Sequence, residues 1–266
     1  MKRKSNILYL SSNEKNVEKK VSTELEEKGV VVVENFITQK QCDELMMLFK
    51  EKQLENSNEL TFVHVKDAKF FSNALGSSKA AFDLVTSKLA RKIAESYLGK
   101  NFRLKCHRAY ELNKSYHFPW HTDNKYDKKK NEESGIVLIV YLSDTKEGAT
   151  EFILGSHKFS NNFSKNNYSK AYIKDNYSDL LAKANGKAGS AVISDIRVIH
   201  RGGLGMKKIN LVIVLLSISS SVFAYIGPGI GGGIIAGVLG VIGAVLLALF
   251  GILYYPIKRM LKNRKK

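Results

Sequence analysis

The chain has 266 residues, with 42 Lys+Arg against 25 Asp+Glu, a formal net charge of +17, two cysteines and 44% hydrophobic residues. That length buries a core in one or two domains, and two cysteines exclude a disulfide-built scaffold and favour a reducing compartment. The 49 residues Ile209–Ile257 hold no Asp, Glu, Lys or Arg; as one helix they would span roughly 74 Å, against about 30 Å of bilayer hydrocarbon, which argues against a purely soluble protein. Residues 206–266 carry eight basic and no acidic side chains, leaving a net +9 on residues 1–205. No nucleic-acid-reading motif accompanies that surplus, so nucleic acid is not an expected partner.

Residues 1–28 read as a polar arm with one helix around Val17–Lys28, which Gly29 ends. Val30–Val33 reads as a buried strand. Thr38, with Gln41 three residues on, makes a capping box for a helix over Lys40–Lys52, whose buried face is Leu45, Met46, Leu48 and Phe49. A strand at Glu59–Val65 precedes a longer helix over Ser78–Leu98, with Ala81, Leu84, Leu89, Ile93 and Tyr97 at helical spacing. From Asn101 the period becomes two: Asn101–Leu112, Gly135–Leu142, Ala149–Leu154 and Ala188–Ile199 read as strands, with long polar loops at Asn124–Ser134 and Ser156–Lys170. Helices followed by strands predict an α+β fold with a β-sandwich or barrel-like double sheet. Cys42 and Cys106 read as small buried residues.

Two histidines carry the chemistry. On a strand, His121 and Asp123 of Trp120-His121-Thr122-Asp123 share a face. His200, at the end of the apolar strand Ala191–Ile199, is a third ligand if the sheet folds it back beside them. Two His and one carboxylate on one face of an octahedron leave three positions open, which suits Fe(II) in an oxygenase better than structural zinc. On spacing alone the opposing reading stands, since H-x-D occurs by chance and a distant His is more often a core or surface residue.

The surrounding residues resemble the phytanoyl-CoA dioxygenase family of iron- and 2-oxoglutarate-dependent oxygenases. The matching stretches are Gly29-Val-Val-Val-Val33 with Asn35-Phe36, His117-Phe-Pro-Trp-His121-Thr-Asp123-Asn124, Val140-Tyr-Leu-Ser-Asp144 with Gly148-Ala-Thr-Glu-Phe152, Gly155-Ser-His157-Lys158, and Asp195 with His200-Arg-Gly-Gly203, in family order across 29–205. The resemblance implies a double-stranded β-helix (jelly roll) with flanking helices, His121, Asp123 and His200 as iron ligands, 2-oxoglutarate on two open positions, and O2-dependent hydroxylation of a small-molecule substrate. His157 is read as structural and Trp120 as packing behind the ligand strand. Arg108 and Lys105, on the strand before the H-x-D motif, are candidates to hold the cosubstrate carboxylate. The family's Arg after the distal His is missing; Lys207 and Lys208 are the nearest cations, and Lys208 is assigned the role, as a point charge without the bidentate fork.

From Met206 a second pattern begins. Met206-Lys207-Lys208, the apolar Ile209–Leu216 and the small-residue stretch ending Val222-Phe223-Ala224 have the layout of a bacterial signal peptide, or of a short first membrane pass, at 206–224. Ile230–Tyr255 is long enough to span a bilayer as a C-terminal transmembrane helix, and its Gly229/Gly233/Gly237 and Ala236/Gly240/Ala244/Ala248 stripes suit helix–helix self-association. Six cations in the last nine residues place the tail in the cytoplasm, so with the membrane engaged through 209–255 the oxygenase domain and tail are both expected there. The junction reads as two coding units fused at Met206, and Ile209–Leu216 reads equally well as the last strand of the oxygenase sheet.

Overall fold

Val30, Val31, Val32 and Val33 are all wholly buried because their strand lies inside a sheet covered on both faces. The computed structural model describes residues 6–54, 62–65, 68–71, 74–104, 107, 109–112, 119–123, 134–145, 148–159, 167–203 and 214–219. They begin with β1 (Tyr9–Ser11), α1 (Val17–Glu27), β2 (Val30–Glu34) and α2 (Gln39–Leu54). The stretch read as a polar arm is thus part of the fold: Ile7 and Leu10 are buried, and β1 pairs with β2 in parallel. The capping box forms as expected, with the Thr38 N–H donating to Gln41 Oε1 at 2.9 Å and the Gln41 N–H to Thr38 Oγ1 at 3.3 Å.

Next come β3 (Phe62–Val65), β4 (Ala68–Phe71), the single turn α3 (Ala74–Ser77), α4 (Lys79–Val85) and α5 (Lys88–Leu98). The one long helix expected over Ser78–Leu98 is therefore two. Thr86 ends α4 by donating its hydroxyl to the Phe82 carbonyl at 2.8 Å, and Ser87 starts α5 by accepting the Ala90 N–H at 3.1 Å. Both side chains compete with the helical ladder at the point where it breaks.

The remaining elements are β5 (Arg103–Leu104), β6 (Ala109–Leu112), β7 (Trp120–His121), β8 (Ser134–Val140), β9 (Glu151–Ile153), β10 (Asn167–Tyr168), α6 (Lys170–Tyr177), β11 (Leu181–Lys183), β12 (Ala191–Asp195), β13 (His200–Arg201) and β14 (Val214–Ser219). One sheet has the order β1-β2-β12-β8-β14-β5, a second β10-β7-β13-β9-β11, and a small third β3-β4-β6. The pleat of the first sheet sorts two cores. Val31, Val33, Ile136, Leu138 and Ile193 pack against Leu25, Leu45, Phe49, Leu84 and Ile93 of the helices. Val30, Val32, Val137, Ile139, Tyr141 and Val192 meet Phe152 and Leu154 of the second sheet. This is a helix-covered double sheet, the α+β architecture the sequence predicts.

Within Ala188–Ile199, expected as one strand, the chain changes sheet: β12 ends at Asp195, a turn follows, and His200 opens β13 in the other sheet. The apolar run after Met206 contributes β14, which lies between β8 and β5 and pairs antiparallel with β8 from Val214 opposite Ile139 to Ser219 opposite Ser134. Met1–Ser220 and Ser221–Lys266 form separate units. The expected span Ile230–Tyr255 lies outside the described residues, among which no helix is long and apolar enough to cross a membrane.

Candidate metal centre

β7 and β13 are neighbours in the second sheet, and their register sets His200 directly opposite His121. Asp123 sits in a bend two residues past His121, beyond the strand the sequence assigned it to, and its N–H donates to the Ile196 carbonyl at 2.9 Å. His121 Nε2 lies 3.7 Å from Asp123 Oδ1, and His200 Nε2 3.5 Å from Asp123 Oδ2. One donor atom from each of the three lies within 4.8 Å of the others. The side chains of His121 and Asp123 are each 25% exposed, so the centre opens to solvent on one side.

Whether these donors fit a metal turns on the protons. His121 Nδ1 donates to the Pro119 carbonyl at 2.7 Å and His200 Nδ1 to the Val198 carbonyl at 2.9 Å. A carbonyl can only accept, so both rings carry hydrogen at Nδ1 and, when neutral, turn a bare Nε2 toward the carboxylate. That is the tautomer a metal requires, held by backbone as ligating histidines usually are. The donor set fits Fe(II), and with three coordination positions left over it is consistent with 2-oxoglutarate as a second cofactor.

Residues 25–204 match the phytanoyl-CoA dioxygenase family. The chain belongs to that family. Among solved structures the dioxygenase fold recurs in the non-heme alpha-ketoglutarate-dependent epimerase SnoN from nogalamycin biosynthesis (15% identity, TM-score 0.62, covering 77% of this chain and 82% of that one). It recurs also in HygX from Streptomyces hygroscopicus, solved with nickel and 2-oxoglutarate bound (12%, 0.57, 79% and 89%), and in AviO1 from Streptomyces viridochromogenes (14%, 0.60, 77% and 96%). These likenesses establish a shared fold. No curated protein matches the chain.

Around the His121–Asp123–His200 cluster, Phe152 stacks on His200 with ring centroids 5.8 Å apart. Trp120 is buried in a cluster with Ile153, Tyr168, Ile173 and Ile199, and so packs behind the ligand strand. Arg201 does two things. Its guanidinium lies 4.5 Å from the Trp120 ring centroid, and its Nε donates to the buried Glu151 at 2.6 Å. Lys183 reaches the other Glu151 oxygen at 3.3 Å.

His157 is structural: its Nε2 donates to the Glu26 carbonyl at 3.1 Å, and desolvation by burial lowers its pKa, so the ring is neutral. The neighbouring Ser156, for which the motif suggested no role, is wholly buried and accepts the Ile199 N–H at 2.8 Å, one residue before His200. Cys42 is buried as expected, which pushes its thiol up to about 11. Lys105, Arg108 and Lys208, the candidates for the cosubstrate carboxylate, lie outside the described residues, as do His117 and Cys106.

Proposed function

We propose that the chain is an Fe(II)- and 2-oxoglutarate-dependent dioxygenase that hydroxylates a small molecule. The observation that carries this reading is the convergence of His121, Asp123 and His200 with both imidazoles locked in the metal-ready tautomer. When bound, iron with 2-oxoglutarate and O2 supplies oxidation of an unactivated C–H bond, the 2-oxo acid leaving as succinate and CO2. Asp123 contributes the one negative charge of the donor set, and each imidazole, with its Nδ1–H spent on a carbonyl, presents Nε2 as the donor atom. Lys208, Arg108 and Lys105 are the cations we propose for the far carboxylate of 2-oxoglutarate; a lysine holds it as a point charge without the two parallel bonds of an arginine.

A second reading is favoured by one feature of the chain. The strand that closes the sheet beside β8 comes from a stretch without any charged residue, so β14 offers no cation to a cosubstrate. In that reading the chain is a non-catalytic membrane protein carrying a truncated oxygenase domain, produced by fusion of two coding units near Met206. Conversion of 2-oxoglutarate to succinate by the full chain decides between them: Fe(II)-dependent turnover lost in His121→Ala supports the enzyme, and no turnover with metal bound supports the remnant.

We also propose membrane attachment through Ile230–Tyr255, with self-association along its small-residue stripes. The oxygenase domain and the basic tail are both assigned to the cytoplasm, which requires a first pass at 206–224 besides Ile230–Tyr255, an arrangement that would take β14 out of the sheet.

A further inference from the structure

The turn that joins β12 to β13 makes two backbone bonds that matter to the metal centre. Its Ile196 carbonyl accepts the Asp123 N–H at 2.9 Å, and its Val198 carbonyl accepts the His200 Nδ1–H at 2.9 Å. Four residues of backbone therefore orient two of the three ligands.

The turn is itself held by one carboxylate. Asp195 is wholly buried at its first position. Oδ1 accepts the Arg197 backbone N–H at 2.7 Å and Arg197 Nε–H at 2.9 Å, while Oδ2 accepts Arg197 Nη2–H at 2.8 Å and the Tyr97 hydroxyl at 2.6 Å. Burial, with the Asp195 charge behind it, raises the Tyr97 pKa, so the hydroxyl keeps the proton it donates. The Asp195 backbone is tied as well: its N–H donates to Gly29 at 2.9 Å and its carbonyl accepts the Val198 N–H at 3.1 Å. A buried carboxylate with every lone-pair direction used is costly to assemble and adopts one arrangement.

We propose that Asp195 is a positioning residue of the metal centre: clamped by Arg197 and Tyr97, it holds the turn whose Ile196 and Val198 carbonyls aim Asp123 and His200. This rests on the metal-binding reading above. Tyr97 links the clamp to α5, so the outer helical layer takes part in shaping a site on the far sheet.

Co(II) titration of the full chain, followed by its visible absorption, reads both affinity and ligand geometry, and a thermal melt of each metal-free variant reads stability. Asp195→Asn weakens Co(II) binding by about tenfold, the lower end for lost outer-shell support, and changes the band shape. Tyr97→Phe removes one bond at the outer end of the clamp and weakens binding by a smaller factor. Leu45→Ala, a cavity in the helix-side core away from the turn, lowers the melting temperature and leaves Co(II) affinity unchanged. Wild-type affinity in folded Asp195→Asn overturns the proposal, and so does a loss in Leu45→Ala equal to that in Asp195→Asn. If Asp195→Asn does not fold, Tyr97→Phe decides, with unchanged affinity overturning it. If the wild type binds no more Co(II) than His121→Ala does, the metal reading has failed, and the positioning role with it.

Discussion

His200 stands opposite His121 across two adjacent strands, their ring centroids 4.4 Å apart and their planes tilted by 50°. Each ring is pinned at Nδ1 to the carbonyl two residues before it, so the same local device sets both. The pairing is made by backbone register.

It follows that removing a ligand side chain costs metal and spares the fold. Asp123→Ala is expected to melt within a few degrees of wild type without metal. At metal concentrations about a hundred times the dissociation constant the wild type gains about 2.7 kcal/mol, and the variant gains almost none. Thermal melts with and without Co(II) check this.

The Glu151–Arg201 pair backs the ligand strands, joining residues that face each other in the register of β9 and β13. Arg201→Ala leaves Glu151 buried with only Lys183 beside it among the described residues, and is expected to cost about 3 kcal/mol. The double variant Glu151→Leu/Arg201→Met is expected to be more stable than Arg201→Ala, because an apolar pair leaves no charge behind. Urea denaturation of the two variants settles the order.

Two histidines make stability depend on pH. Burial lowers the pKa of His157 and of His107 below 6.5, so the unfolded chain takes up these protons first as the solution is acidified. Their contribution is full above about pH 6.5 and is lost as pH falls below it. Melting temperatures measured between pH 7.5 and 5 should fall with acid, and His157→Asn should make the slope shallower.

Gly29 has φ +79°, and a Cβ there would stand 2.3 Å from Val198 Cγ2 and 2.6 Å from His157 Nδ1. Gly29→Ala is expected to cost about 2–4 kcal/mol, from the left-handed backbone and the overpacking together. Since Val198 orients His200, Co(II) affinity measured on the folded variant should fall as well.

A chain ending at Gly205 lacks β14 and leaves β8, with its run of buried Ile136 to Val140, as an unpaired edge. Such a chain is expected to be less soluble than one ending at Ser220. Comparing the soluble fractions of the two on expression tests it.

The legible part of the molecule was whatever short-range chemistry encodes. The Thr38/Gln41 box could be read because both partners lie within one turn, and His121 with Asp123 because two residues separate them. The place of His200 could not be derived from spacing, since it depends on a turn after Asp195 that no Gly or Pro marks and that the apolar Ile196, Val198 and Ile199 conceal. The break at Thr86–Ser87 was hidden likewise, apolar residues continuing at helical spacing on both sides of it. β1 escapes that reading although Ile7-Leu8-Tyr9-Leu10 is apolar, because the run is only four residues long and polar, charged stretches flank it on both sides. Arg197 gave no signal, as nothing in sequence marks an arginine that folds back on a carboxylate two residues away.

On the membrane attachment proposed above, strand β14 would make folding and membrane insertion compete for the same six residues. In the sheet, the backbone of Val214–Ser219 pairs along its length with β8, and Ser217 and Ile218 pair also with β5. In a bilayer those groups would have to bond within a helix. A molecule whose sheet had closed would have withdrawn that segment from insertion, and one whose segment had inserted would have an open sheet. On that proposal, the order in which the two events reached Val214 during synthesis would set how the product partitions.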